Sequence, residues 1–460
     1  MIEATFVTPF GERYRAPGGP WAGRSLDARL GADPAVDRWA GALRARGVVT
    51  GSVVTWQSPN RPEVALAYRA CWRLGAIAAP IHHQAGATET AAMRAQLEPF
   101  VDLDVTDVAE FVDGSPITAY WDVPESLAAV LFTSGSSGEP KGVLHTQSTL
   151  ATKATSMQRV HGLTPDDVVL MPAPCAHISG LLNGITLPGI AGARTVFMDR
   201  WDPMVALEII ERETVTFMIG PPTFFVSLMD ADGFSSERVR SLRLISSGGA
   251  GVSPAFVERA RRELGARVKR TYGSTEAPTV ATSHADDDER HDATHDGRAV
   301  DGVELRVADH GELMIRGPEV CVGYLSTEAT AAAFDPDGWF HTGDLATIDD
   351  AGWLTIVGRV RDVIIRGGEN IAAAEIEAVL EAHPSVSAAA VVGLPDDRLG
   401  ERVGAFVVTN GDRFDLTICQ EWFAERGVAR FKTPERVEIL DALPLLPTGK
   451  PDKATLRNRA

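Results

Sequence analysis

The sequence predicts an α/β protein with a large N-terminal body, a short strand-rich stretch and a compact α+β C-terminal domain. Three observations carry that expectation. From Leu30 to Tyr272, helix-length amphipathic stretches alternate with short apolar runs that end at Gly or Pro, the pattern of βα units around a partly parallel sheet. From Gly302 the pattern changes to short alternating strands with Gly and Asp turns, which predicts a small antiparallel unit. Beyond Arg361, strand, glycine-turn and helix patterns recur over about 100 residues, enough for a second domain.

Each element follows from its residues. A Gly/Pro turn is expected at Pro17 to Pro20. Val36 to Arg46 predicts a helix, Val53 to Trp56 a strand, Asn60 to Leu74 a second helix with Pro62 in its first turn, and Ala76 to Pro80 a strand. His82-His83 resembles a metal pair, but no third ligand is near in sequence, so loop histidines are expected. The apolar run Leu127 to Phe132 predicts a buried strand, and Thr146 caps a helix that runs to about Val160. Asp167 to Met171 predicts a strand whose Pro-rich exit places His177 where ligands sit in open α/β sheets. Cys175 lies beside it, but neither an orienting acid nor a nucleophile motif accompanies that thiol.

Met204 to Glu211 predicts a helix, and Val215 to Ile219, Leu242 to Ser246 and Ala266 to Tyr272 predict strands. Asp286 to Asp296 holds six acids and two His without an apolar frame and reads as an exposed loop. Val303 to Val307, Glu312 to Arg316, Leu345 to Ile348 and Trp353 to Val357 predict short strands, with Asp344 and Arg359 at element ends. In the last 100 residues, Val363 to Ile365 predicts a strand, Arg366 to Asn370 a glycine turn and Ala373 to Ala382 a helix with a core stripe of Ile376, Val379 and Leu380. Ala388 to Val392, Val403 to Val408, Leu416 to Gly427 and Arg436 to Ile439 complete the set.

Composition bounds the function. With 460 residues and 44% hydrophobic content, the chain can bury large cores. Its formal net charge of -18 makes an average field that repels nucleic acid and anionic membrane. The four cysteines are far apart and show no C-x-x-C spacing, which fits a reducing compartment, so the cytoplasm is the expected location. Neither a secretory leader nor a membrane-spanning run of 18 apolar residues is expected.

Two stretches carry chemistry. In Thr133-Ser-Gly-Ser-Ser-Gly-Glu-Pro-Lys-Gly142, glycines at 135, 138 and 142 allow close backbone approach. The hydroxyls of Thr133, Ser134, Ser136 and Ser137 and the charge of Lys141 suit a polyphosphate. The spacing is not that of the P-loop, because Gly142 stands where Ser or Thr would hold magnesium. In Tyr272-Gly-Ser-Thr-Glu276, Tyr272 offers a ring for base stacking, Thr275 a hydroxyl for phosphate and Glu276 a hard oxygen for magnesium. Asp344 is suited to accept ribose hydroxyls, and Arg359 to donate to ribose or phosphate. For that pair, a solvated turn and a surface salt bridge are the competing readings.

Taken together, these stretches resemble the AMP-forming acyl/aryl-CoA synthetase family, the acyl-adenylate-forming enzymes that include firefly luciferase and peptide-synthetase adenylation domains. The resemblance rests on TSGSSGEPKG at 133 to 142, PCAHISG at 174 to 180, SSGGA at 246 to 250 and YGSTE at 272 to 276. GELMIRGPEVCVGY at 311 to 324, WFHTGDLATIDDAGWLTIVGRVRDVIIRGGENI at 339 to 371 and PLLPTGK at 444 to 450 complete it. It implies a large N-terminal domain, 1 to 360, of two sheet-helix lobes plus a small barrel-like part from about 297. A mobile α+β C-terminal domain, 361 to 460, would turn about a hinge at Arg361.

The resemblance also implies roles. The 133 to 142 loop would embrace the β- and γ-phosphates of ATP, and Gly248, Gly249, Ala250 and Tyr272 would form the adenine slot, with Gly273 and Ile356 also at the nucleotide. Thr275 would meet the α-phosphate, Glu276 would hold Mg2+, and Asp344 and Arg359 would hold ribose. Lys450, otherwise a lysine on a flexible tail, would bridge the attacking carboxylate and the α-phosphate. Gly367, Gly368 and Glu369 would line the tunnel for the pantetheine arm of coenzyme A. His177, Ile178, Leu181, Pro222, Phe225 and Ser247 would line the acid pocket, mostly apolar and without an Asp suited to an amino-acid ammonium.

The activity implied is a carboxylate-CoA ligase for a medium-chain, alicyclic or aromatic acid, forming acyl-CoA, AMP and diphosphate through an acyl-adenylate. An adenylating enzyme that loads an acyl carrier protein is the alternative, and oligomeric state stays open, a homodimer among the options. Two departures stand out. The segment between Pro80 and Leu127 is short for the family, its second sheet segment reduced to Phe111 to Tyr120, and Val300 stands where the family often has Pro.

Overall fold

The computed structural model describes residues 7–8, 11–12, 25–106, 111, 114–119, 121–134, 140–249, 251–366, 369–396, 398–445 and 451–459. It divides into two compact units, Met1–Leu305 with Ile315–His341, and Arg306–Met314 with Thr342–Ala460. The expected division at 360/361 falls inside the second unit, at the 3-10 turn Val360–Asp362. No helix among the described residues is long and apolar enough to cross a membrane.

Besides the two-stranded ribbon of Val7–Thr8 and Gly11–Glu12, the described residues of the first unit hold two larger sheets. One orders its strands as Val101–Leu103, Val53–Gln57, Ile77–Ile81, Leu127–Ser134 and Pro140–Thr146, the first four parallel and the last antiparallel. Trp56, Tyr68, Trp72, Ala78 and Leu131 are fully buried in its core. The other runs Arg194–Phe197, Val168–Met171, Phe217–Gly220, Leu244–Gly248 and Arg267–Tyr272 in parallel, then turns antiparallel at Ala281–Thr282 and Gly297–Ala299. Leu207, Met218, Phe225, Ile245 and Val257 form its core. Parallel strands need crossover helices, and those helices leave the strand exits open at one end for a site.

The second unit ends in a sheet ordered Glu369–Ala372, Val363–Arg366, Gly400–Thr409 and Val386–Asp396, with Arg436–Ile439 parallel to Gly400–Thr409. Helices Ala373–Glu381 and Leu416–Glu425 cover it, and Ile376 and Leu380 are buried as the stripe predicts. Trp422 Nε1 donates to Val379 O at 2.8 Å, tying the two helices.

Several expectations need correction. The two ends of the polar stretch 133 to 142 lie in paired strands: Leu127–Ser134 is antiparallel to Pro140–Thr146, with Thr133 opposite Lys141. Pro140 opens the returning strand, where its missing N–H is tolerated, and Val143 and Leu144 are buried on its two opposite faces. The predicted glycine turn 366 to 370 is likewise shorter, because Glu369 and Asn370 lie in a strand opposite Arg366 and Ile365. Asp344 lies inside the strand Phe340–Ile348 rather than at its end.

The acid-rich segment 286 to 296 is an exposed loop only in part: Asp286, Asp288 and Glu289 are exposed as expected, but Asp292 and Asp296 are buried. Its 3-10 turn, Glu289–Ala293, carries the fully buried Asp292 to Arg261 and Arg267 at 3.1 and 3.0 Å, and Asp296 pairs with Arg270 at 2.8 Å. Those arginines come from the helix Pro254–Leu264 and the strand Arg267–Tyr272, so local composition could not reveal them. The short segment after Pro80 still forms a helix, Ala87–Leu97, and an edge strand, Val101–Leu103, neither of which was expected. Phe111 is buried against Trp39, ring centroids 4.1 Å apart. Tyr120 and the expected turn at Pro17 to Pro20 lie outside the described residues, and a helix at Leu26–Leu30 went unpredicted.

Candidate active site

The turn after the strand Arg267–Tyr272 is held from several elements of the first unit. Gly273 opens it where a Cβ would come 2.1 Å from Thr279 N, so only glycine lets the turn close on itself. Ser274 N–H donates to Ala277 O at 3.0 Å. His145, fully buried on the returning hairpin strand, donates from Nε2 to Thr275 O at 2.8 Å. A carbonyl accepts only, so the proton sits on Nε2, and burial pushes this imidazole down to about 4.

Glu276 is held at two points. Its carbonyl accepts from Cys321 N–H at 2.7 Å, and its Oε1 accepts from Tyr324 Oη at 2.7 Å. Among the described residues no hydrogen bond reaches Oε2, which leaves one hard anionic oxygen of the type magnesium takes. Burial and the Glu276 carboxylate both raise the Tyr324 phenol, so it stays a donor. Lys141 Nζ lies 5.7 Å from the centre of the Tyr324 ring, which brings the hairpin's cation to the same corner as Glu276. Sequence reasoning quoted Tyr324 within a motif but missed it and His145 as supports, since neither contact is local.

Gly248 ends its strand where a Cβ would meet Thr271 O at 2.2 Å, and Gly249 follows with a left-handed φ of 75°. Ser247 is fully buried beside them, its Oγ without a hydrogen-bond partner among the described residues. Tyr272 is half-buried at the end of the adjacent strand.

His177 caps the short helix Ile178–Leu181 and is half-buried. The dismissed pair returns here: His82 lies 5.0 Å from His177 and stacks on His83 at 4.8 Å, ring centre to ring centre. Burial pushes His82 down to about 4, the two neighbouring imidazoles adding to the effect, and it lowers His177 and His83 as well. The three rings are therefore neutral at pH 7. A third histidine is near after all, yet no group of three side chains suited to a metal ion occurs among the described residues. Cys175 is buried, its thiol pushed up to about 12, so it is no nucleophile. Ile178 and Pro222 are half-buried, whereas Leu181 and Phe225 have no exposed surface and back the wall from within the two cores.

In the second unit, Asp344 and Arg359 stand opposite each other in antiparallel register and form an ion pair, Nε to Oδ1, of 2.9 Å. Of the two earlier readings for this pair, the salt bridge is the one present. Ile356 pairs with Ala346 in the same ladder. Thr342 Oγ1 accepts from Asp344 N–H at 3.0 Å and donates to Leu313 O at 2.7 Å, fixing the strand at that point. Glu369 is exposed. Gly135, Ser136, Ser137, Gly138, Ala250, Gly367, Gly368 and Lys450 lie outside the described residues, as do the side chains of Ser134 and Arg361.

Comparison with known proteins decides the family. The profile of the AMP-binding enzyme family matches residues 32–325, and that of the AMP-binding enzyme C-terminal domain matches 375–450. The chain belongs to the AMP-binding enzymes. Among curated relatives, the medium-chain fatty-acid–CoA ligase of Escherichia coli is 32% identical over 92% of this chain and 84% of that protein. The 3-[(3aS,4S,7aS)-7a-methyl-1,5-dioxo-octahydro-1H-inden-4-yl]propanoyl:CoA ligase of Mycobacterium tuberculosis is 42% identical over 73% of this chain and 66% of that one. The ATP-bound MatB of Rhodopseudomonas palustris superposes with a TM-score of 0.84 at 29% identity, covering 94% of this chain and 92% of that one. This AMP-binding enzyme is thus an AMP-forming acid–thiol ligase, which binds ATP, activates a carboxylic acid as its adenylate and transfers the acyl group to a thiol.

Proposed function

We propose that this AMP-binding enzyme is a coenzyme A ligase for an acid whose acyl group carries no charge: medium-chain, alicyclic or aromatic. The observation that carries the reading is the neutral imidazole wall of His177, His82 and His83. No carboxylate is hydrogen-bonded to any of the three among the described residues, and Asp199, which acts on His83 only through its field, instead accepts from Arg200 N–H. An ammonium brought there would lose its water without gaining an anion. Relatives named for a medium-chain fatty acid, a dioxo-hydrindane propanoate and indoleacetate support the same class.

In the proposed reaction, a carboxylate oxygen of the acid attacks the α-phosphorus, and the bond to the diphosphate oxygen breaks with its electron pair leaving on diphosphate. The thiol of coenzyme A then adds to the acyl carbonyl and AMP departs. Thr133, Ser134, Lys141 and the rest of the hairpin end would hold the outer phosphates, Thr275 the α-phosphate, and Asp344 and Arg359 the ribose. Gly248, Gly249, Ala250, Tyr272, Gly273 and Ile356 would surround the base. The open Oε2 of Glu276 fits a magnesium ion, which when bound neutralises phosphate charge. Lys450 would stabilise the charge that grows as the carboxylate attacks. A turn of the C-terminal domain about Arg361 would then exchange Lys450 for Gly367, Gly368 and Glu369 at the acyl group. We place the enzyme in the cytoplasm on its cysteine usage alone.

AMP release and product mass across a panel of acids, with and without coenzyme A, test the reading. Acyl-CoA from uncharged acids is expected, and an amino acid with the highest kcat/KM overturns it. A relative named as a salicyl-AMP ligase and salicyl-S-ArCP synthetase, 31% identical, supports a second acceptor, a carrier protein's thiol. A phosphopantetheinylated carrier that outcompetes free coenzyme A would establish that alternative.

A further inference from the structure

Lys153 takes no part in the chemistry above, yet it is fully buried on the helix Gln147–His161. Stripping an ammonium of water costs several kcal/mol, and an apolar pair of similar volume is often as stable as a buried ion pair. A charge kept here calls for a geometric reason. Its Nζ donates to the carbonyl of Thr279 at 2.5 Å and pairs with Oε1 of the equally buried Glu319 at 3.2 Å. Thr279 closes the turn that begins at Gly273, and it does so with φ of 40°, a left-handed conformation that a β-branched residue rarely adopts.

We propose that Lys153 and Glu319 are positioning residues for Thr275 and Glu276. The ammonium holds the one carbonyl that the strained end of the turn presents, and Glu319 anchors the ammonium. Glu319 lies two residues before Cys321, whose N–H holds Glu276 O, so the same segment grips the turn at its middle and, through Lys153, at its end. His145 holds the third point, Thr275 O. The inference rests on the reading that Thr275 and Glu276 face the nucleotide and its metal.

The test uses the full chain carrying Lys153→Met with Glu319→Gln, which leaves no buried charge unpaired. Amide exchange across 274–279 should accelerate roughly tenfold or more. The magnesium concentration for half-maximal acyl-AMP formation should rise about fivefold, while acyl transfer from supplied acyl-AMP stays within about twofold of wild type. Glu319→Gln alone should move exchange and the magnesium requirement in the same direction but by less, since Lys153 without its charged anchor can still reach Thr279 O. Unchanged exchange overturns the proposal. So does faster exchange with an unaltered magnesium requirement, or with equal loss in both half-reactions, which marks a merely structural tie. If the double variant does not fold, Glu319→Gln decides: unchanged exchange with an unchanged magnesium requirement there overturns the proposal. Glu276→Gln run in parallel separates the two layers. Wild-type magnesium dependence in that variant strikes the metal reading alone, and the exchange arm with the ratio of half-reactions still decides the positioning role.

Discussion

The turn Gly273 to Thr279 and the strand pair bearing Asp344 and Arg359 present functional side chains by opposite means. In the turn, buried groups from elsewhere in the first unit hold the backbone of the reactive residues: His145 on Thr275, Cys321 on Glu276 and Lys153 on Thr279. In the second unit, strand register sets Asp344 against Arg359, whose side chain is 40% exposed. Further along the second unit, Leu445 and Pro451 pair in an isolated bridge on either side of the segment that ends at Lys450, and Asp452 N–H donates to Pro444 O at 2.8 Å. Residues beyond it, Lys453 and Arg457, are tied to Glu377 and Asp362 at 2.8 and 3.3 Å. The difference teaches where function and stability are coupled. Disturbing the turn should cost both, whereas disturbing the second unit's groups should cost chemistry and little else.

The largest effect expected is at Lys450, and it sharpens the contrast. Lys450→Ala should raise the barrier to acyl-AMP formation by about 2 to 4 kcal/mol, the size of losing one charge-stabilising donor, with the urea midpoint unchanged. Transfer from supplied acyl-AMP should continue, because the attacking thiol meets an adenylate already made. Pyrophosphate release and acyl transfer measured separately check this. Equal losses in both steps would remove the division of labour between the two half-reactions.

A smaller effect, on stability, follows from His145. Its folded-state value is depressed from about 6.5 to about 4 by burial, so the stabilisation it allows is complete above pH 6.5 and is lost as pH falls towards 4. The shift corresponds to roughly 3 kcal/mol. His145→Gln keeps a donor for Thr275 O and does not titrate. The stability difference between wild type and variant should therefore shift by about that amount, in the variant's favour, between pH 7 and pH 4 in urea titrations. Parallel pH curves would show that the turn is not held through a buried neutral imidazole.

Much of this contrast could be read from the sequence on one side only. The helix at Gln147–His161 with its Thr146 cap, the parallel strands and the C-terminal helix stripe followed from periodicity and capping, which are local signals. The side chains proposed to face the ligands came from sequence too, because glycine loops and hard oxygens cluster in it. What holds them was not. His145 and Thr275 are 130 residues apart, Lys153 and Thr279 126, and Lys153 and Glu319 166. The buried acids of segment 286 to 296 misled for the same reason, their arginine partners lying on other elements. His82 was set aside for want of a neighbour that the fold supplies from His177.

The smallest effect expected is at Asp344, and it gives the comparison its most direct chance to fail. Asp344→Asn preserves size and an oxygen that Arg359 can still reach, but removes the charge. With Arg359 so exposed, the ion pair contributes no more than about 1 kcal/mol. The strand ladder from Asp344 to Ile348 against Leu354 to Arg359 remains, as does the Thr342 bond to Leu313 O, so the urea midpoint should barely move. The KM for ATP is expected to rise roughly tenfold, about 1.4 kcal/mol, as a charged acceptor for ribose hydroxyls becomes a neutral one. A drop of several kcal/mol in stability would make this pair a structural lock like Lys153 and Glu319, and the distinction between the two regions would collapse. An unchanged KM with an unchanged midpoint would keep the distinction but take the ribose from Asp344.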